Sequence, residues 1–297
     1  KYNQCEIYIN DIYQTNSKNE YNFTNIENLD INISAINKYF DDFGRLISDE
    51  NSTYLNLNET PSFENSDETS PFQNSDEYYY NNSETMKNDF DVKKRNIIKI
   101  IWNDTITTTE SMFSDCDKII GIDLSNFNTK QVNNMSNMFY GCSSLKLLNF
   151  TNFDTSNVDN MENMFTECSS LKSLDLRYFN ISQVTTMSQM FYACQSLKKL
   201  KISNFDTRKV INMYRLFSNC SSLTTLNLSN FDTSRVINMS YMFSGFSNLV
   251  TLNIINFDTQ SVKFMSHMFA NCSSLCLLDL SNFNTSKVQT MLYMSFN

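Results

Sequence analysis

The sequence predicts a repeat solenoid of α/β type, built from 26-residue coils of one short parallel strand plus a short helix or 3-10 turn. Three observations lead there. A Met-Phe pair recurs at Met112-Phe113, Met138-Phe139, Met164-Phe165, Met190-Phe191, Met242-Phe243 and Met268-Phe269, with Leu216-Phe217 in the same register, and every step is 26 residues. A Leu-x-x-Leu-x-Leu segment repeats in phase with it, as at Leu171, Leu174 and Leu176. Pro (2) and Gly (4) are scarce, so corners must be turned by Asn, Asp, Ser and Thr, which bond to nearby backbone.

The first 95 residues differ from the rest. They hold 18 Asp/Glu against 8 Lys/Arg, whereas residues 96–297 hold 14 against 15, so the net charge of −9 belongs to the N-terminal segment. Asn51 to Glu84 contains both prolines and few aliphatics. Such a stretch buries too little apolar surface to offset the entropy of ordering, so residues 1–95 are read as an acidic, mostly disordered arm. Within it, Leu29, Ile33, Ile36, Phe40 and Phe43 fall near helical spacing and suggest one helix. The apolar run from Ile97 to Trp102 makes residues 96–111 a capping half-repeat, with Trp102 over the open core.

Seven repeats follow over residues 112–293. The Leu-x-x-Leu-x-Leu segment suits a parallel strand with one face packed inward. Phe comes next, at 127, 153, 179, 205, 231, 257 and 283, then Val at 132, 158, 184, 210, 236, 262 and 288. Val158, Met161, Met164 and Phe165 lie at i, i+3, i+6 and i+7, which predicts a short helix on the return side. Residues 294–297 open an eighth unit: either the sequence is a fragment, or Met291, Leu292, Tyr293, Met294 and Phe296 form a makeshift lid, and an uncovered end would suit end-to-end self-association.

The units from Leu171 to Cys194 and from Leu226 to Phe243 resemble leucine-rich repeats, and more closely the 26-residue repeats of BspA-like bacterial and protist surface proteins. The resemblance covers residues 97–297. It implies a cell-surface or extracellular adhesive or ligand-binding solenoid rather than an enzyme.

Six cysteines share one repeat position, at 116, 142, 168, 194, 220 and 272, where Phe246 fills the same slot. Neighbouring rungs could be bridged, yet a slot that accepts Phe wants an apolar body, so buried thiols are expected. Cys5 and Cys276 lie off this ladder. A second ladder, Asn128, Asp154, Asn180, Asp206, Asp232, Asp258 and Asn284, could offer oxygen ligands to Ca²⁺. Side chains that cap their own turns explain its mixed Asn and Asp better. The lone His267 has no acid–base or metal-binding companion and reads as surface. No phosphate loop or nucleophile elbow is present, so no catalytic residue, cofactor or metal is expected.

Function is expected at the outward strand positions, which vary while the core repeats. Lys146, Lys172 and Lys198 align as a stripe reinforced by Lys199 and Lys201, with Thr225 and Asn227 beside it. This face is expected to bind a protein or glycan ligand. The near-neutral array has no field to collect nucleic acid, and no apolar run is long enough for a spanning helix. Sequons at Asn22, Asn32, Asn51, Asn58 and Asn81 are candidate glycosylation sites of a secreted glycoprotein. An intracellular interaction scaffold with a reduced cysteine ladder is the competing expectation. The chain opens at Lys1 without Met or a leader, as a mature or trimmed product would.

Overall fold

The computed structural model describes residues 3–10, 95–102 and 106–294. The helix expected around Leu29 to Phe43, the stretch Asn51 to Glu84 and the five sequons at Asn22, Asn32, Asn51, Asn58 and Asn81 lie outside those residues.

Eight strands are present among the described residues: β1 (Asn3–Asn10), β2 (Arg95–Trp102), β3 (Ile119–Asn126), β4 (Leu147–Asn149), β5 (Ser173–Asp175), β6 (Lys199–Lys201), β7 (Thr225–Asn227) and β8 (Thr251–Asn253). From β4 to β8 each coil contributes one three-residue strand, with a leucine in the middle packed on the core. Like residues pair in parallel one repeat apart, as in Leu174 with Leu200 and Leu226 with Leu252. Parallel pairing in register is what identical coils must produce when each stacks on the last.

The N-terminal end is built differently from the expectation. β1 lies between β2 and β3 and runs antiparallel to both, giving the order β2-β1-β3-β4. The run from Ile97 to Trp102 therefore does not stack directly on the first full coil as a half-repeat. The strand that does so, Asn3–Asn10, comes from the segment expected to be a low-complexity arm. Its alternation (Cys5, Ile7, Ile9) is too short to stand out against that composition.

The return side also departs from the helical spacing read in the sequence: no helix occurs among the described residues. Two sets of backbone hydrogen bonds replace it. The N–H groups of Met135, Asn137, Phe139 and Gly141 donate to Asn160, Glu162, Met164 and Thr166 of the next coil, while those of Met138, Tyr140 and Cys142 close local turns onto residues three earlier. Half the donors are thus committed between coils, leaving no run of i→i−4 bonds for a helix. Parallel bridges run without a break from Thr108↔Asn134 to Phe264↔Thr290. The strand side, by contrast, pairs only as β3-β4, β5-β6 and β7-β8. The continuous backbone spine lies on the return side.

This wiring demands a left-handed residue at two positions per coil, four apart. The φ angle is +56° at Asn137 and +70° at Gly141, +56° at Asn163 and +61° at Glu167, and +59° at Tyr241 and +80° at Gly245. At the second position side chains alternate in size along the stack: Asp115, Gly141, Glu167, Ala193, Asn219, Gly245, Asn271. The cause is steric. A Cβ placed on Gly141 would collide with the Asp115 carboxylate one coil earlier, and one on Gly245 with the Asn219 amide.

Between the two sides runs the core. The rings of Phe113, Phe139, Phe165, Phe191, Phe217, Phe243 and Phe269 stack one on the next, at 5.5–6.1 Å and within 11° of parallel. The other phenylalanine ladder is stacked at Phe127-Phe153-Phe179 and again at Phe205-Phe231. Phe150 stands where most coils have Leu or Ile and meets Phe139, Phe165 and Phe179 edge-on. In the last coil the equivalents Leu280, Phe283 and Val288 are only half-buried, and Met291, Leu292 and Tyr293 are exposed.

Candidate functional site: the strand face

The strand face is where the array displays side chains that its packing leaves unspecified. In the short strands the middle leucine packs on the core, and the residue before the strand projects outward, as do both flanking residues of β7 and β8, whereas Asn149 of β4 is buried. Lys146, Lys172 and Lys198 are all exposed. They occupy one column: the N–H of Lys146 donates to Ile120 O at 2.9 Å and that of Lys198 to Lys172 O at 2.9 Å. Lys199 is exposed at the start of β6, where it pairs with Ser173.

Lys201 is engaged within the face. Its Nζ lies 3.5 Å from the Asp175 carboxylate, which also accepts from Arg177 Nε and Nη2 at 3.0 and 2.9 Å. Partial burial alone would raise the Asp175 pKa, but the Arg177 hydrogen bonds and the charges of Arg177 and Lys201 hold it below the usual carboxylate range. Asp175 thus offsets part of the positive field, and the accessible charge is carried by the Lys146–Lys172–Lys198 column.

Thr225 and Asn227 are exposed on β7. Asn227 has a local task, since its Oδ1 accepts the Ser229 N–H at 3.1 Å. Asp123, Asn149, Asp175, Asn253 and Asp279 do the same in their own coils. That column closes the turn after the strand, and Lys201 is the residue that interrupts it.

Sequence reasoning passed over Arg177 and Tyr178. Tyr178 is 74% exposed, with the Arg177 guanidinium 6.0 Å from its ring centre. Each breaks its column: Tyr178 stands among Asn152, Asn204, Asn230, Asn256 and Asn282. Column-breaking was the signal available. At the far end the face turns apolar, with Val250 54%, Ile255 59% and Leu277 86% exposed.

The other candidates resolve into structure. Cys142, Cys168, Cys194, Cys220 and Cys272 are free thiols, each donating to a phenylalanine carbonyl of an earlier coil at 2.9–3.2 Å. Burial pushes the Cys194 thiol up to about 12 and the Cys272 thiol up to about 11. Phe246, in the same slot, is fully buried. Cys276 is exposed. In the Asn/Asp ladder every member caps its own turn, as in Asp154 with the Ser156 N–H at 2.9 Å. Among the described residues no group of His, Cys, Asp or Glu could hold a metal ion. A shallow depression of about 410 Å³ is lined by Asn230, Asp232, Asn256 and Asp258, but both carboxylates are used in those turns. His267 is half-buried on the return side, stacked between Tyr241 at 4.4 Å and Tyr293 at 5.0 Å. No helix among the described residues is long and apolar enough to cross a membrane.

Comparison with known proteins places this architecture. Residues 107–225 and 197–297 match a family described as Mycoplasma protein of unknown function, DUF285. The chain belongs to that family. Residues 50–161 match the BspA type leucine-rich repeat region, so this DUF285 member is a leucine-rich-repeat protein of BspA type. Among solved structures it is similar to the leucine-rich repeat protein of T. pallidum, at 19% identity and a TM-score of 0.36 over 56% of this chain and 70% of that one. No curated protein matches the chain.

Proposed function

We propose that this chain is a non-catalytic, cell-surface binding module whose strand face engages an acidic protein partner. The observation that carries the reading is the column Lys146, Lys172 and Lys198, exposed at three consecutive rungs on the face of a leucine-rich-repeat protein. Like charges about 4.8 Å apart repel one another and add nothing to folding, so their alignment makes sense as a surface for an extended acidic segment. Thr225 and Lys199 extend that surface along the strands, and Arg177 with Tyr178 frames its edge. The BspA-type match supports an extracellular or surface setting.

The test is binding of poly-L-glutamate at low salt to the wild-type chain and to Lys172→Glu/Lys198→Glu/Lys201→Glu. The variant is expected to lose binding, and heparin in a parallel titration separates an acidic protein from an anionic glycan. Undiminished poly-L-glutamate binding by the triple variant would show the lysines to be a solvated face only. The free thiols of the cysteine ladder favour a second reading, an intracellular interaction scaffold. Glycans found on Asn22, Asn32, Asn51, Asn58 or Asn81 of the native protein would rule that reading out.

A further inference from the structure

The return side carries a charge pattern that answers the lysine column. Asp115 and Glu167 are exposed in one column and sit 52 residues, or two rungs, apart. Glu110 and Glu162 repeat that spacing in a neighbouring column. Lys146 and Lys198 on the strand face are also 52 residues apart. Both spacings come to about 10 Å if rungs repeat at strand-pairing distance.

The spacing of the acids has a backbone cause. Asp115 and Glu167 occupy the left-handed position where large and small residues must alternate, because a side chain there overhangs the next rung and only Gly141 fits beneath Asp115. Carboxylates in this column are therefore restricted to alternate rungs, whereas lysines on the strand face can occupy every rung. Around these acids the field is negative: the Tyr140 pKa is raised, chiefly by the Glu167 charge, then by burial and Asp115. The only cation among residues 107–118 and 159–170 is Lys118, 3.7 Å from Asp117.

We propose that the acidic partner of the strand face is a second copy of this chain, with Asp115, Glu162 and Glu167 of one copy docking on Lys146, Lys172 and Lys198 of the next. This rests on the reading of the strand face as a basic binding surface and names its partner. The contact joins two different faces, so it is heterologous. It propagates into rings or open chains rather than stopping at a symmetric dimer. Between exposed charges, it strengthens at low ionic strength and weakens once the screening length falls to a few ångströms.

Sedimentation velocity on the full chain tests it with two charge reversals, both at exposed or half-exposed positions where folding tolerates them. Lys172→Glu/Lys198→Glu alters the strand face, and Glu162→Lys/Glu167→Lys alters the return face. The wild type is expected to self-associate at about 20 mM salt and to dissociate at about 500 mM. Each variant alone should stay monomeric, and an equimolar mixture of the two should associate again. Circular dichroism melts matching the wild type confirm that both variants fold. A wild type that is monomeric at low salt, or variants that stay apart when mixed, overturns the proposal. Association lost only in the strand-face variant would overturn it while sparing the strand face as a binding surface. Association unchanged in that variant would also overturn it, and the poly-L-glutamate titration then decides the strand-face reading by itself.

Discussion

Removing one ring from the phenylalanine stack tests the packing on which every surface statement depends. Phe191 is fully buried, with Phe165 on one side at 5.8 Å and 2° and Phe217 on the other at 5.5 Å and 4°. Truncation of such a side chain costs about 3–5 kcal/mol in burial and cavity formation. Each aromatic contact contributes about 0.5–1.5 kcal/mol beyond buried area, so Phe191→Ala should lie at the upper end of that range. The ladder makes a sharper prediction in pairs. Phe191 and Phe217 share one contact, so the double alanine variant should cost about 0.5–1.5 kcal/mol less than the sum of the singles. Phe165 and Phe217 do not touch, so their double variant should be closer to additive. Equilibrium urea unfolding followed by circular dichroism measures all of these. Loss of less than about 1 kcal/mol for Phe191→Ala, or strict additivity for the adjacent pair, would show that the rings are not a cooperative stack.

Three further outcomes follow from the wiring. The buried thiols have folded pKa values raised by desolvation above the ordinary value, so folding holds protons that the unfolded chain releases. Their stabilisation is complete below about pH 8.5, the unfolded thiol value, and falls by about 1.4 kcal/mol per thiol per pH unit above it until the folded value is reached. The urea midpoint should drop between about pH 8 and pH 10, and Cys194→Ala should flatten that slope. Gly245→Ala should destabilise by about 1–3 kcal/mol, from a Cβ at φ +80° and its collision with Asn219; adding Asn219→Ala should restore the steric part, read from thermal melts. Thr233 Oγ1 donates to Asp258 O at 2.9 Å and accepts the Asp258 N–H at 2.8 Å, so Thr233→Val should cost about 1–3 kcal/mol. Hydrogen exchange at the Asp258 amide should rise with it, and unchanged exchange would refute the bridging role.

What the sequence determined by itself is everything that repeats. A strict 26-residue period forces like residues to stack, so the two phenylalanine ladders, the buried cysteine slot and the capping role of the Asn/Asp ladder could all be read from columns of identical residues. The stripe of Lys146, Lys172 and Lys198 was legible for the same reason. Tertiary structure alone decided where the backbone donors go. Spacing at i, i+3 and i+7 fits a helix, yet in the stack the return-side N–H groups find carbonyls in the next coil, a competitor absent from any single repeat. Only with that spine in place do the left-handed positions appear, and with them the reason Gly141 lies beneath Asp115. The strand Asn3–Asn10 was equally hidden, because its partners Arg95–Trp102 and Ile119–Asn126 are far along the chain and local pattern carries no record of non-local pairing.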